Sequence, residues 1–387
     1  MKNRLILITF FSSQLLSSQI REFTIVDASL KLPVSNVNIF NQKSLQGTIS
    51  NDDGKFKILN NNDTLTFSHI AFKIKKISIN KQYTKDTVFL VPKEIKLDEI
   101  IISNIDLKNK LQFILNNFNK LYDTEKKILE CTYKEKLKVN NNLVRLSQVQ
   151  LEWWNRNYNY DFKEKLKTQN QIKIVNIDYS KKLEFQNILS NGGFIENKYL
   201  FEYLHLNYYP NYIISYAKNI VIKLVKKGDT NTKIIFNANI VVGNKIIAKL
   251  VNSSIYFNNE TNAIEKLNLQ INYLNQTKKG LSRIDKIPYK SKVLTHFLDI
   301  NFNYDYKNKL ILSSFFSKII GAVEYNQTQD KLLIEQYFII TGIKKGKKIK
   351  RKYRVNLSQP LYDSFPISKN GSEKILLSKE EMSFIIN

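Results

Sequence analysis

Strict alternation of apolar and polar residues marks the second half of the chain. In "IEKLNLQINYL" Leu267, Leu269, Ile271 and Tyr273 share one side, opposite Lys266, Asn268, Gln270 and Asn272. In "FLDINFNYDY" Leu298, Ile300, Phe302, Tyr304 and Tyr306 alternate with Asp299, Asn301, Asn303 and Asp305. A period of two with one apolar side predicts antiparallel strands with one dry and one wet face. Less regular runs at Leu143–Trp154, Ile220–Val225, Lys233–Val242, Ile246–Phe257, Leu332–Ile340 and Ile349–Leu357 extend the pattern. Successive strands without intervening helices predict a meander, here one large curved antiparallel sheet. One segment has a different period. Leu107, Leu111, Ile114, Leu115, Phe118, Leu121 and Tyr122 lie on one helical stripe, with Asp106 as N-cap, so a helix is expected over 107–122. A sheet with one dry face must cover it, and no other segment has so long an apolar stripe. This single helix is therefore expected across the sheet, burying Leu111, Leu115 and Phe118. The tyrosine-rich stretch Tyr179–Tyr216 fits either a short helix or a long crossover. Ser378 and Glu381 have capping-box spacing for a last short helix.

Ile20 to Ile102 reads differently, as short β-type runs such as "EFTIVD", "KFKIL" and "DTVFLV" at close spacing, the rhythm of an all-β sandwich. Within it, "GTISNDDGKFKI" (Gly47–Ile58) encloses two acids between glycines. Aligned on Gly54 as a calcium loop, it has Ile49 at the first position and Asn60 at the twelfth, so it lacks both end ligands. It also lacks the glycine spacing and following helix of a phosphate loop. What remains is a hairpin turn. Asn51, Asp52 and Asp53 bond to local backbone, and Gly54 takes a positive φ.

Around that turn, "IVD" (Ile25–Asp27), "LPVSNVNI" (Leu32–Ile39), "DTLTFSHIAF" (Asp63–Phe72), "DTVFLV" (Asp86–Val91) and "LDEIII" (Leu97–Ile102) fall in a recognisable order. Together they resemble a carboxypeptidase regulatory-like domain. The resemblance implies a Greek-key β-sandwich of the kind common at the start of exported Gram-negative envelope proteins, TonB-dependent receptors included. It also implies no active site within the domain. The family usually has glycine where Phe23 stands and Gly-Tyr where Ala71 and Phe72 stand, so distortion is expected in the first strand and in the strand ending at Phe72. The expected organisation is a signal peptide over 1–18, the sandwich over 20–102, and a helix-plus-sheet domain over 105–387.

The N-terminus supplies the address. Lys2 and Arg4 precede an apolar run, Leu5–Phe11, that ends at Ser17 and Ser18. That layout predicts a secretory signal, and the run is too short to span a bilayer. Cys131 is the only cysteine, which excludes an intrachain disulfide. The net charge of +26 comes with lysines spread along the chain and densest in "KKGKKIKRK", Lys344–Lys352, which reads as a hairpin turn inside a strand pair. No recognition helix or aromatic RNA-binding signature accompanies it, so nucleic acid is not an expected partner.

Catalytic chemistry is not indicated. His69, His205 and His296 sit in strand-like contexts without His-Glu spacing, and no serine lies in a Gly-x-Ser-x-Gly elbow. "GG" at Gly192–Gly193 has no helix signal behind it. No catalytic, cofactor or metal residue is assigned. The aromatics are open to two readings, ordinary sheet packing or an aromatic-lined concavity for a lipid or glycan: adjacent Trp153 and Trp154 face opposite sides of a strand, and "YLFEYLHLNYYPNY" packs tyrosines between Tyr199 and Tyr212. The expectation is a non-enzymatic protein of the periplasm or outer-membrane periphery, binding or scaffolding an envelope protein or a lipid-like ligand. The alternative is a small outer-membrane β-barrel or a component of a TonB-dependent transport system, for which the alternating strands and tyrosines speak.

Overall fold

The computed structural model describes residues 20–41, 43–44, 46–59, 63–69, 71–79, 85–93, 105–183, 197–228, 230–274, 276–281, 286–305, 307–370 and 375–387. The expected signal peptide, "LDEIII" and the Gly192–Gly193 pair lie outside the described residues. The chain is mainly β and divides by its contacts into two compact units.

The first unit holds β1 (Ile20–Asp27), β2 (Asn38–Asn41), β3 (Gln46–Ile49), β4 (Lys55–Leu59), β5 (Asp63–Ser68), β6 (Lys75–Ile79) and β7 (Thr87–Leu90). One sheet runs β4-β1-β7 and the other β3-β2-β5-β6. Phe23, Ile25, Phe56, Val88 and Leu90 of the first meet Ile39, Leu65, Phe67 and Ile79 of the second in one buried cluster, which makes the unit a sandwich. Phe23 does not distort its strand. Its ring stacks on Phe56 at 5.2 Å, and β1 pairs with β4 in unbroken register, so the extra ring becomes core. Phe72 lies beyond β5 and makes an isolated bridge to Pro92.

The turn at Gly54 behaves as turn chemistry requires. Asn51 Oδ1 accepts the N–H groups of Asp53 (3.0 Å) and Lys55 (2.8 Å). Gly54 has φ +73°, and a β-carbon there would lie 2.5 Å from the Ile25 carbonyl oxygen. Asn51 Nδ2 also donates to the Leu377 carbonyl at 2.9 Å, and residues 375–378 cluster with this unit, burying Ile375.

The second unit contains β8 (Lys127–Val139), β9 (Asn142–Asn155), β10 (Asn170–Lys182), β11 (Ala217–Lys227), β12 (Asn231–Val242), β13 (Lys245–Asn258), β14 (Ile264–Tyr273), β15 (Thr277–Leu281), β16 (Pro288–Tyr304), β17 (Leu310–Tyr325) and β18 (Thr328–Lys344). They form one antiparallel sheet in the order β10-β9-β8-β18-β17-β16-β14-β13-β12-β11, with β15 pairing β16 beyond the end of β14. Four of these strands, β8, β10, β15 and β17, were not among the alternating runs. The expected strand at 349–357 does not form. β18 ends at Lys344 and already pairs with β17 on one side and β8 on the other, so no slot remains for a hairpin partner. The chain instead makes a 3₁₀ turn at Arg351–Tyr353 and runs beside β10, where Val355 N–H donates to the Ile172 carbonyl at 2.9 Å. The two edges are treated differently. β10 is overlaid by this stretch and by the reciprocal Ser180–Ser368 bridge. Among the described residues β11 pairs on one side only; it carries exposed Lys218, Lys223, Lys226 and Lys227 and two register shifts, which discourage further pairing.

The helices are α1 (Leu107–Asn116), α2 (Phe118–Leu121), α3 (Leu166–Gln169), α4 (Asn197–Leu204), α5 (Tyr208–Tyr216) and α6 (Lys379–Ile386). Asp106 caps α1 by accepting the Asn109 N–H at 3.1 Å. The expected single helix is broken at Asn117 (φ −107°, ψ 13°). Leu107, Leu111, Ile114 and Phe118 are fully buried, while Leu115 is only half-buried. Nor is this helix the sole cover: Leu200, Phe201 and Leu204 of α4 and Tyr209 and Ile213 of α5 belong to the same core as the sheet's apolar face.

Helix α6 lies on the other face. In "YKEKLKV" Lys134, Lys136 and Lys138 alternate with Tyr133, Glu135 and Leu137, which the pleat turns to the opposite side. Glu381, only 1% exposed, takes Lys134 at 2.7 Å and Lys136 at 3.4 Å, and Glu380 takes Lys138 at 2.7 Å.

Gly54→Val should lower the stability of the first unit by about 1–3 kcal/mol, because the left-handed backbone and the close Ile25 carbonyl both oppose a branched side chain; hydrogen exchange of β1 and β4 reads this, and unchanged protection would refute the turn argument. In the second unit, Leu111→Ala should cost about 2–5 kcal/mol and Leu115→Ala clearly less. Both tryptophans lie in this unit, so denaturant melts followed by tryptophan fluorescence rank the two variants.

Candidate functional site

Trp153 and Trp154 do face opposite sides of β9. Trp153 is fully buried in the main core, and its indole N–H donates to Asn170 Oδ1 at 2.8 Å. Trp154 belongs to a separate small cluster with Ile128 and Ile349. Over Trp153 lie Phe201 at 5.8 Å and His205 at 5.6 Å, both edge-on. Tyr158 continues this layer, stacked on His205 at 5.3 Å, with its hydroxyl donating to the Leu204 carbonyl at 2.7 Å. Tyr122 closes it from α2: its hydroxyl accepts the Ile264 N–H at 2.7 Å and lies 3.2 Å from the Ile264 carbonyl.

The histidines are part of this packing. Nδ1 of His205 lies 2.5 Å from the Phe201 carbonyl and Nε2 lies 2.8 Å from Asn155 Nδ2. A neutral ring protonated on Nδ1 satisfies both contacts. Burial pulls its pKa down to about 4. His296 Nε2 pairs with Ser317 Oγ at 2.8 Å, and burial lowers it to about 3. His69 accepts the Ala71 N–H in a turn of the first unit. Cys131 is buried in the main core. Among the described residues no three His, Cys, Asp or Glu side chains gather as a metal-ligating group.

At one border of the core the rings become half-buried. Tyr208, Tyr212 and Tyr216 follow one another at four-residue spacing on α5, with centroids 5.7 Å and 5.5 Å apart. Tyr203 meets Tyr208 at 5.2 Å and His296 at 5.4 Å. Tyr273, at the end of β14, acts electrostatically on Tyr203, Tyr208 and Tyr212. Burial pushes Tyr273 up to about 12 and raises the other three, so all four hydroxyls stay protonated at physiological pH. Exposed Leu274 follows Tyr273 directly, and exposed Ile246 and Val242 lie at the adjoining β12–β13 turn. The result is a rim of amphipathic rings with an apolar body and a polar tip.

The sequence contained this rim but hid its helix. Pro210 reads as a breaker inside "YLHLNYYPNY", yet it occupies the first turn of α5, where a backbone N–H has no intrahelical acceptor. The Tyr208–Tyr212–Tyr216 spacing was the available signal.

The other unit, with its Gly54 turn and seven short strands, has a recognisable family. Residues 24–102 match the CarboxypepD_reg-like domain. The CarboxypepD_reg-like domain contains none of the rim residues and covers none of the large sheet. No curated protein matches the chain. Among solved structures, a LolA superfamily protein from Nitrosomonas europaea is similar at 7% identity and a TM-score of 0.21, covering 63% of this chain and 96% of that one. At that TM-score the likeness carries no argument.

The buried histidines set an acid limit. Each binds a proton more readily when unfolded, near 6.5, than when folded, so stability rises with pH through this window. It is full above about pH 6.5 and falls as the pH drops toward the folded values of about 4 for His205 and about 3 for His296. At pH 5 each histidine should cost about 2 kcal/mol relative to pH 7.5. Denaturant melts at both pH values check this, and His296→Gln should flatten the dependence.

Proposed function

We propose that this chain is a non-catalytic binding protein of the cell envelope whose second unit holds an apolar or amphipathic ligand at the tyrosine rim. The observation that carries the reading is the rim itself: four half-buried tyrosines continuous with exposed Leu274, Ile246 and Val242, at the border of an apolar sheet face closed by several short helices. Rings with a dry body and a hydroxyl tip suit a molecule that is itself part apolar and part polar. The CarboxypepD_reg-like domain adds a docking module with no proposed chemistry of its own. Export, on this reading, rests on Lys2, Arg4 and the apolar run Leu5–Phe11.

The barrel alternative is less well supported. Lys134, Lys136 and Lys138 point away from the core and are neutralised by helix α6, whereas a lipid-facing surface would be apolar. Among the described residues the strand order is also a path with two different ends.

The test is to purify the protein from envelope fractions, extract it with organic solvent and identify released amphiphiles by mass spectrometry, alongside titration with an apolar naphthylamine fluorophore. A bound amphiphile and saturable probe uptake are expected, with uptake weakened roughly tenfold in Tyr208→Ala/Tyr212→Ala. No released amphiphile together with no probe uptake would sink the ligand reading and leave a scaffold. Carbonate washing addresses location: release from membranes is the expected result, and retention would favour the barrel.

A further inference from the structure

The strongest concentration of positive charge in the chain is built into a cleft. About 530 Å³ in volume, it lies between the start of β10 with helix α3 on one side and the stretch after β18 on the other. Lys167, Lys348, Arg351 and Arg354 line it, together with Asn170 and Gln171. We propose that this cleft binds the phosphate group of a small ligand or lipid headgroup, independently of whatever the tyrosine rim holds.

Three observations support the assignment. The first is that the charge is uncompensated. Lys344, at the end of β18, by contrast lies between Glu130 (3.0 Å) and Glu152 (2.6 Å). Among the described residues none of the four cleft cations has a carboxylate partner. Four cations lining one cleft raise the local positive potential there, which favours an anion.

The second is that the wall is fixed rather than a solvated tail. Ile349 packs with Ile128 and Trp154. Gly346 lies so close to Ile128 that a β-carbon would collide with its side chain. Arg354 Nε donates to the Ile349 carbonyl at 2.7 Å, and the Val355 N–H is tied to β10 at the Ile172 carbonyl. Lys348 sits 5.6 Å above the Trp154 ring. The cations are thus presented from a pinned backbone, which lowers the ordering cost of binding.

The third is an unmet need for partners. Gln171 lies on the same face of β10 as its cross-strand neighbour Trp154, over which Lys348 sits. Gln171, 4% exposed, has no donor for Oε1. Buried amide atoms are seldom left without partners. A phosphate ester supplies anionic oxygens for the arginine forks, and a hydroxyl on the attached glycerol or sugar for Gln171. The cleft is within the about 300–1,000 Å³ common for small-ligand sites, which leaves room for such a group beside the phosphate.

The experiment uses the full chain in two arms: calorimetric titration with inorganic phosphate and glycerol 3-phosphate, and co-sedimentation with phosphatidylcholine vesicles with and without phosphatidylglycerol. Lys348→Ala/Arg351→Ala removes two exposed cleft cations; Lys226→Ala/Lys227→Ala on β11 removes equal charge elsewhere. Binding in at least one arm is expected, weakened roughly tenfold or more by the cleft variant and unchanged by the β11 variant, with both variants melting like the parent. Binding in the soluble arm identifies a free phosphate ester; binding only to phosphatidylglycerol vesicles identifies a headgroup. No binding in either arm, or equal loss in both variants, overturns the proposal. If the cleft variant melts lower, single Arg351→Gln replaces it, and undiminished binding by that folded variant likewise overturns the proposal.

Discussion

An antiparallel sheet of eleven strands with one apolar face exposes more dry surface than one helix can cover, and the second unit is organised around that deficit. Helix α1 supplies Leu107, Leu111 and Ile114, then breaks at Asn117 so that Phe118 and Tyr122 reach a different part of the sheet. The remaining surface falls to α4 and α5, which bring Phe201, Leu204, Tyr209 and Ile213. Because these helices are short, much of their fixation comes through rings and single hydrogen bonds, such as Tyr158 to the Leu204 carbonyl and Tyr209 to the Tyr203 carbonyl (2.6 Å). Where the cover ends, the tyrosines are left half-buried. The candidate site is therefore a consequence of the covering problem: it is the place where the apolar face meets water.

The charged groups admitted into this core meet opposite charge or hydrogen-bond partners, as low dielectric requires. Glu135 meets Arg145 at 2.6 Å and accepts the Tyr133 hydroxyl at 2.6 Å, with Gln336 donating at 2.9 Å. The Arg145 guanidinium stacks 3.8 Å from the Tyr362 ring, which ties the stretch after β18 to the covered face. Such a network contributes little net stability, but removing one member leaves a buried charge without its partner. It favours one placement of Tyr362 over others.

The excess of lysine is distributed by role rather than spread evenly. On β8 three lysines seat helix α6 through Glu380 and Glu381; on β11 they protect a free edge; in Lys344–Arg354 they form a pinned basic wall. Similar composition thus produces a helix dock, an edge guard and an anion cleft. The difference lies in what stands opposite each group: carboxylates, water, or an open cleft.

Local signals in the sequence determined the mainly β character, the sandwich over the matched family region, the Asp106-capped helix start, the Gly54 turn and the opposed faces of Trp153 and Trp154. Each depends on periodicity or backbone sterics within a few residues. Tertiary structure alone decided the rest. Strand β8 reads as a lysine-rich run until Glu381, nearly 250 residues later, neutralises it. Ile349–Leu357 looks like a strand but has nowhere to pair, because β18 is already flanked on both sides. Pro210 looks like a helix breaker until its place in the first turn of α5 is known. The tyrosine rim and the basic cleft bring together residues from separate elements. Alternation can say which side of a strand a residue takes; only the order of strands and the position of the covering helices say what that side will meet.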